Sequence, residues 1–190
     1  MHNLIAFGYY IHYSSYAQYT CSFDYVLQLI AMDAVDWKLL DQLQRDNALS
    51  NQALAQRLHL SPATCLRRVR ALRERGLIEH DVCVLSADRL AGLQGHGVCA
   101  LVEVSLDRQD AEALATFEHR VAHEDAVQQC YRVSPGPDFV LVVHALDMPD
   151  YLALTQRLFT QDANVRNVKS FFSVKRSKFG ARLPLRPLAK

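Results

Sequence analysis

The chain has 190 residues, half of them hydrophobic and 22% charged, with 21 Lys and Arg against 20 Asp and Glu for a formal net charge of +1. That is ordinary globular composition, with room for two small domains that each bury a core. Five cysteines with no CxxC pair, and no segment joining a charged start to a long apolar run, exclude a secreted disulfide scaffold, a signal peptide and a membrane span. The expectation is a cytoplasmic protein whose thiols act mostly as small apolar groups. The near-neutral total hides an asymmetry. Between His96 and Asp162 eleven acids face four arginines, whereas Ala163 to Lys190 holds eight basic residues and no acid. Such a distribution suits a protein that meets phosphates at its ends and itself in the middle.

Residues 1–31 contain no Lys or Arg, a single acid and the aromatic-polar run GYYIHYSSYAQYT. Met32 stands directly before DAVDWKLL. The expectation is that translation starts at Met32 and that 1–31 is a mis-called extension. From Ala34 to Asp46 the stripe Val35, Leu39, Leu40 and Leu43 predicts a helix, with Asp33 or Asp36 as its cap. A short second helix, Asn51 to Leu58, buries Leu54 and Leu58, and Leu49 can staple its entry. The third helix has the clearest bounds. Ser61 is an N-cap, Pro62 fits the first helical position, Arg73 and Arg75 suit the last turn, and Gly76 is a left-handed stop.

On a helical wheel Cys65, Val69 and Leu72 face a core, with Leu66 at its margin. Ala63, Thr64, Arg67, Arg70, Ala71 and Glu74 face outward, flanked by Arg68, and five arginines stand against one acid between Ser61 and Arg75. Two short helices around a tight turn, the second with a basic outer face, are the parts of a helix-turn-helix whose second helix enters the major groove. A merely solvated charged face is the plain alternative. Ile78 to Leu85 alternates loosely and predicts a wing strand, and Ala87 to Gly97, with three glycines, predicts a linker.

The second half predicts strand, helix, strand, strand, helix, strand. These are Val98–Leu106, Asp110–His123 with Leu114, Phe117 and Val121 apolar, Ala126–Val133, Phe139–Leu146, a helix from Pro149 to Gln161 capped by Asp147, and Val165–Val174. This order gives an antiparallel four-stranded sheet of the ferredoxin-like type with both helices on one face. The whole is then an α+β chain. Several strands carry apolar residues on both sides, so the bare face predicts face-to-face dimerisation of two sheets. His119 and His123 lie one turn apart, but HRVAH lacks the zinc-protease glutamate and a third ligand, so no metal is expected. No Ser–His–Asp, Cys–His or paired-carboxylate arrangement can be placed.

The run DAVDWKLLDQLQRDNALSNQALAQRLHLSPATCLRRVRALRERGLI, with its SP-T-C-L-RVR-L-G pattern from Ser61 to Gly76, resembles the N-terminal winged helix-turn-helix of the leucine-responsive regulator/AsnC ("feast/famine") transcription factors. The similarity runs to about Lys178. It implies a transcription regulator that binds double-stranded DNA through Ser61, Ala63, Thr64, Arg67, Arg68 and Arg70. It divides the chain into 1–31, a DNA-binding domain at 32–86, a linker at 87–97, a sensing and oligomerisation domain at 98–178, and a basic tail at 179–190. The second domain is implied to form homodimers, to assemble them into larger rings, and to bind an amino acid or related small molecule, with no other cofactor.

In that family the effector lies near the loop between the second and third strands. The corresponding run here is Ser134-Pro135-Gly136-Pro137-Asp138-Phe139, which makes Ser134, Gly136, Asp138 and Phe139 the candidate contacts. The glycine is displaced by one position from the family pattern, and its two flanking prolines remove backbone donors. Asp138 carries the charge that suits an α-ammonium. The same residues also make an ordinary rigid turn, and both readings stand. Some proteins of this architecture are sirohaem decarboxylases. His80 and His96 lie in the connector, but no Arg–His cluster accompanies them, and the basic recognition helix favours a regulator.

Overall fold

The computed structural model describes residues 32–95 and 97–185. The expectations for 1–31, for His96 and for the last five residues of the tail lie outside it. The chain separates into two compact units. Of the described residues, one takes those up to Val82 together with the segment from Gly180 to Leu185, and the other runs from Cys83 to Phe179.

The first unit holds three helices, α1 (Ala34–Arg45), α2 (Asn51–Arg57) and α3 (Pro62–Glu74). Asp33 and Asp36 share the cap of α1. Asp33 accepts from the amides of Val35 at 2.8 Å and Asp36 at 3.0 Å, while the Asp36 carboxylate accepts from the Asp33 amide at 3.2 Å. Three otherwise unpaired donors are satisfied, those of Asp33 and Asp36 reciprocally. Ser50 and Ser61 cap α2 and α3 through the amides of Ala53 and Thr64, both at 3.2 Å. The apolar stripes converge on Leu39, Leu40, Leu54, Ala55, Cys65 and Leu72, all buried. Each large aliphatic among them stabilises the unit by about 1.5–3 kcal/mol.

Both helix stops in the helix-turn-helix are of one kind. At the end of α3 the Leu77 amide reaches the Leu72 carbonyl and the Gly76 amide that of Arg73, with Gly76 at φ +68°. At the end of α2 the Leu60 amide reaches Ala55 and the His59 amide reaches Gln56, with His59 at φ +55°. Each is a paired closure around one left-handed residue. The turn between α2 and α3 makes that closure with a histidine where glycine is usual.

Two connections differ from expectation. Ile78–Leu85 forms no strand, since among the described residues nothing pairs with it and an unpaired strand lacks its ladder of hydrogen bonds. An ion pair of 2.7 Å ties Asp81 in this segment back to Arg73. The expected linker contains a helix, α4 (Ala87–Gln94). Only Gly92 lies within it, at a cost of about 1 kcal/mol that a helix tolerates, and Gly95 at φ +88° ends it.

The second unit is built from β1 (Val98–Leu106), α5 (Ala111–Ala122), β2 (Val127–Arg132), β3 (Phe139–Ala145), α6 (Met148–Thr155) and β4 (Val165–Phe172). The sheet order is β2-β3-β1-β4, antiparallel throughout. Strict alternation sends Ala100, Val102, Val104 and Leu106 of β1, and Phe139, Leu141, Val143 and Ala145 of β3, into one core. Phe117 and Val121 of α5 and Tyr151 and Leu154 of α6 cover it. The helix expected to run on to Gln161 changes to a π-turn over Gln156–Thr160, whose wider winding brings the consecutive Leu158 and Phe159 into the core together. The opposite face carries Leu101, Tyr131 and Phe171, at 45%, 53% and 52% exposure.

Candidate nucleic-acid interface and effector loop

The outward face of α3 is rigid because its start is doubly tied. The Ser61 hydroxyl accepts the Thr64 amide and donates to the Thr64 hydroxyl at 2.9 Å, and the Asn51 side-chain amide donates to the Pro62 carbonyl at 2.9 Å. Thr64 accepts that bond and keeps its own proton to donate elsewhere. Ser61, Ala63, Arg67 and Arg70 are exposed and Thr64 is half-buried. Arg67 makes no ion pair among the described residues. Arg70 stands 3.8 Å from Glu74, with both side chains mostly in solvent, a separation at which water competes effectively. The structure therefore places five of the six expected DNA-facing residues on one free surface.

Arg68, expected among the DNA-binding residues, is the exception, because its guanidinium is engaged within the unit. Its Nη1 lies 2.8 Å from Asp33 and 2.8 Å from Asp36, and three-quarters of its side chain is buried. The hydrogen bond that Arg68 donates to Asp36 leads in raising the Arg68 pKa, against an opposing effect of burial. Burial pushes the Asp33 carboxyl upward, but the Asp36 amide and the Arg68 guanidinium outweigh it and hold the group below its usual range. The wheel placed Arg68 on the flank of the face, and the crossing of α1 over α3 turns that flank toward two carboxylates. A hydrogen-bonded pair at this depth outcompetes solvent, so Arg68 clamps α3 to the cap of α1.

The loop between β2 and β3 is held as firmly. The Asp138 Oδ2 accepts the Leu106 amide at 2.7 Å and the Gln109 side-chain amide at 3.3 Å. Its backbone bonds to Val104 through the amide and to Val133 through the carbonyl. Gly136 sits at φ +122°, a conformation open to glycine, and the Ser134–Pro135 bond is cis. Ser134, Pro135 and Gly136 are exposed. Phe139 corrects the expected effector contact. It is fully buried and stacks on Phe117 with ring centroids 4.7 Å apart, because the alternation of β3 assigns it to the helix-covered face. Leu106 and Gln109, thirty-two and twenty-nine positions earlier, are the partners that sequence spacing did not reveal.

His119 and His123 form a tilted ring pair with centroids 4.4 Å apart, and the His123 Nδ1 lies 2.7 Å from the His119 carbonyl. No group of three or more potential ligands for a metal occurs among the described residues. No helix among them is long and apolar enough to cross a membrane.

A capped helix-turn-helix with a basic outer face, joined to a separate sheet-and-helix domain, defines a two-domain transcription regulator. Comparison with known proteins agrees. Residues 99–183 match the Lrp/AsnC ligand-binding domain and residues 32–79 match a winged helix-turn-helix DNA-binding domain. A helix-turn-helix-type transcriptional regulator of Haemophilus influenzae is 35% identical over 149 residues, which cover 78% of this chain and 85% of that one. The leucine-responsive regulatory protein of Rhizobium meliloti is 32% identical over 149 residues, covering 78% and 93%. The solved structure of a transcriptional regulator from Neisseria meningitidis in complex with L-Met superposes with a TM-score of 0.70 at 27% identity, covering 80% of this chain and 96% of that one. The chain belongs to the Lrp/AsnC family of transcriptional regulators.

Proposed function

We propose that this regulator reads a specific double-stranded DNA site with α3, works as a homodimer or an assembly of dimers, and answers to an amino acid or a related small molecule. The observation that carries the DNA reading is the exposed Arg67, without an ion pair among the described residues, on a helix fixed at its start. A guanidinium held this way can bond to a guanine edge with two parallel donors. Arg70, Thr64, Ser61 and Ala63 complete the surface around it, and Arg70 is suited to phosphate. The dimer reading rests on Leu101, Tyr131 and Phe171 on the bare sheet face, which a second sheet would cover. The ligand-binding family match and the L-Met complex of the Neisseria relative support the effector class. Within the loop, Asp138 Oδ2 is engaged, which leaves Oδ1 to meet an ammonium group beside the exposed Gly136. We assign the chain a cytoplasmic location and no catalytic step.

Genomic footprinting of the tagged protein identifies the operator, and binding to that fragment then tests the face. Arg67→Ala is expected to weaken specific binding by roughly 1–3 kcal/mol. A folded Arg67→Ala protein that binds normally removes α3 from its assigned role. Calorimetry across the twenty amino acids tests the effector, and Asp138→Asn is expected to reduce the affinity of whichever one binds. Affinity that survives this change removes Asp138 as the ammonium partner.

A further inference from the structure

The DNA-binding unit contains a segment that its sequence neighbours do not explain. Residues 180–185 follow the second unit in the chain, yet they pack within the first. Gln44 on α1 grips the backbone of Leu183 at two points. Its Oε1 accepts the Leu183 amide at 2.6 Å and its Nε2 donates to the Leu183 carbonyl at 3.4 Å. This is the way one strand reads another, and it is indifferent to the side chain, which points to solvent at 66% exposure. Selectivity comes from either side. The Arg182 Nη2 donates to the Asp41 Oδ1 at 2.6 Å, while the Asp41 Oδ2 receives Arg45 at 3.0 Å. Leu185 packs against the buried cluster of the three helices. Pro184 between them carries no amide donor and fixes its φ, so the extended form is partly set in advance.

The seat is a groove of about 600 Å³, lined by Trp37 and Asp41 of α1, by Arg57 and His59 at the end of α2, and by Arg182 and Leu185 themselves. It lies on α1 and the α2–α3 turn, apart from the outward residues of α3. The family reading of DNA recognition leaves it without a task.

We propose that this face of the DNA-binding unit is a peptide-docking surface whose occupant is the chain's own Arg182–Leu185, and that the docked segment is a second tether between the DNA-binding unit and the regulatory domain. The unit is then anchored at both ends, through the connector after Val82 and through the segment after Phe179. Nine residues separate the end of β4 at Phe172 from Arg182, so the segment meets the groove within one chain rather than from solution. Docking with modest intrinsic affinity therefore suffices to keep the groove filled. The consequence for DNA binding rests on the proposed reading of α3. A doubly anchored unit loses less freedom on meeting its operator than one held by a single connector.

Trp37, the single tryptophan of the chain, lines the groove and reports on it directly. In the full-length protein, Leu185→Ser and Arg182→Asp are each expected to move Trp37 emission to longer wavelength and to increase its quenching by acrylamide. Operator affinity should fall severalfold with them. Adding Asp41→Arg to Arg182→Asp restores the ion pair in reverse and is expected to recover most of the wild-type emission. Unchanged emission and quenching in Leu185→Ser overturn the docking. Altered emission with operator affinity equal to wild type overturns the tether. Failure of the wild-type chain itself to bind any operator, with the emission changes present, would count against the reading of α3 and leave the docking standing.

Discussion

At the scale of single residues, the arginines of α3 divide by what lies opposite them. Arg67 faces solvent, whereas Arg68, its immediate neighbour, is spent on Asp33 and Asp36. The two are expected to separate cleanly by mutation. Arg68→Ala leaves a buried carboxylate at Asp36 without its partner, and thermal unfolding should show a loss of about 1–3 kcal/mol. Its effect on DNA should follow from that loss of order at the start of α1. Arg67→Ala should leave the unfolding transition in place and act on operator binding alone. Equal thermal stability of Arg68→Ala and wild type would return Arg68 to the list of free DNA contacts. Asp138 carries a parallel lesson. Its charge suggested a ligand, and one of its oxygens is already fastening the end of β1 to the start of β3.

At the scale of elements, the turn of the helix-turn-helix stores a small strain. His59 occupies the left-handed position between α2 and α3, which costs a residue with a side chain roughly 1–2 kcal/mol. His59→Gly is expected to raise thermal stability by up to about 1 kcal/mol, since the more flexible unfolded chain offsets part of the gain. A lower unfolding temperature in that variant would show that the imidazole makes a compensating contact.

In the regulatory unit, the Arg120 guanidinium in the last turn of α5 pairs with Asp162 ahead of β4. Burial alone would push the Asp162 carboxyl up, but Arg120 and the Asn164 amide hold it below its usual range. A carboxylate lowered in the folded state stabilises at neutral pH, and the contribution is lost as pH falls from the ordinary carboxylate value of about 4 toward the folded one. Acid titration of the fold should therefore show this unit weakening below about pH 4. Arg120→Leu should flatten that dependence, and an unaltered acid limb in the variant would assign the effect to other carboxylates.

At the scale of the whole molecule, the described residues finish the sheet on one side only. Its helix-covered face is closed by Phe117, Phe139 and Leu154, each nearly inaccessible, while the other presents Leu101 and Phe171. Leu101↔Phe171 is a cross-strand pair between β1 and β4, so the two side chains form one apolar ridge. Leu101→Asp in the full chain is expected to lower the sedimentation coefficient toward that of a monomer without unfolding the domain, because its site is solvent-exposed within one chain. An unchanged sedimentation coefficient would overturn the proposed interface. Burying a charge against a second sheet is costly enough to decide the outcome.

Local chemistry determined most of the elements. The N-caps at Asp33, Ser61, Asp110 and Asp147, the stop at Gly76 and the alternation of β1 and β3 are each set by a few neighbouring residues, and the structure follows them nearly to the residue. The family pattern from Ser61 to Gly76 was legible for the same reason, being a contiguous run on one helix. What tertiary structure alone decided were the pairings across distance. These include the turning of Arg68 toward α1, the use of Asp138 by an amide thirty-two positions earlier, the assignment of Phe139 to the core, and the return of Arg182–Leu185 to α1 some 140 residues back in the chain. The wing strand failed to form as expected because strand structure needs a neighbour, and periodicity within one segment says nothing about whether a neighbour is present. Caps and stripes are properties of a helix or strand taken singly. An ion pair or a docked segment depends on the angle and distance between two elements, which only the packed chain fixes.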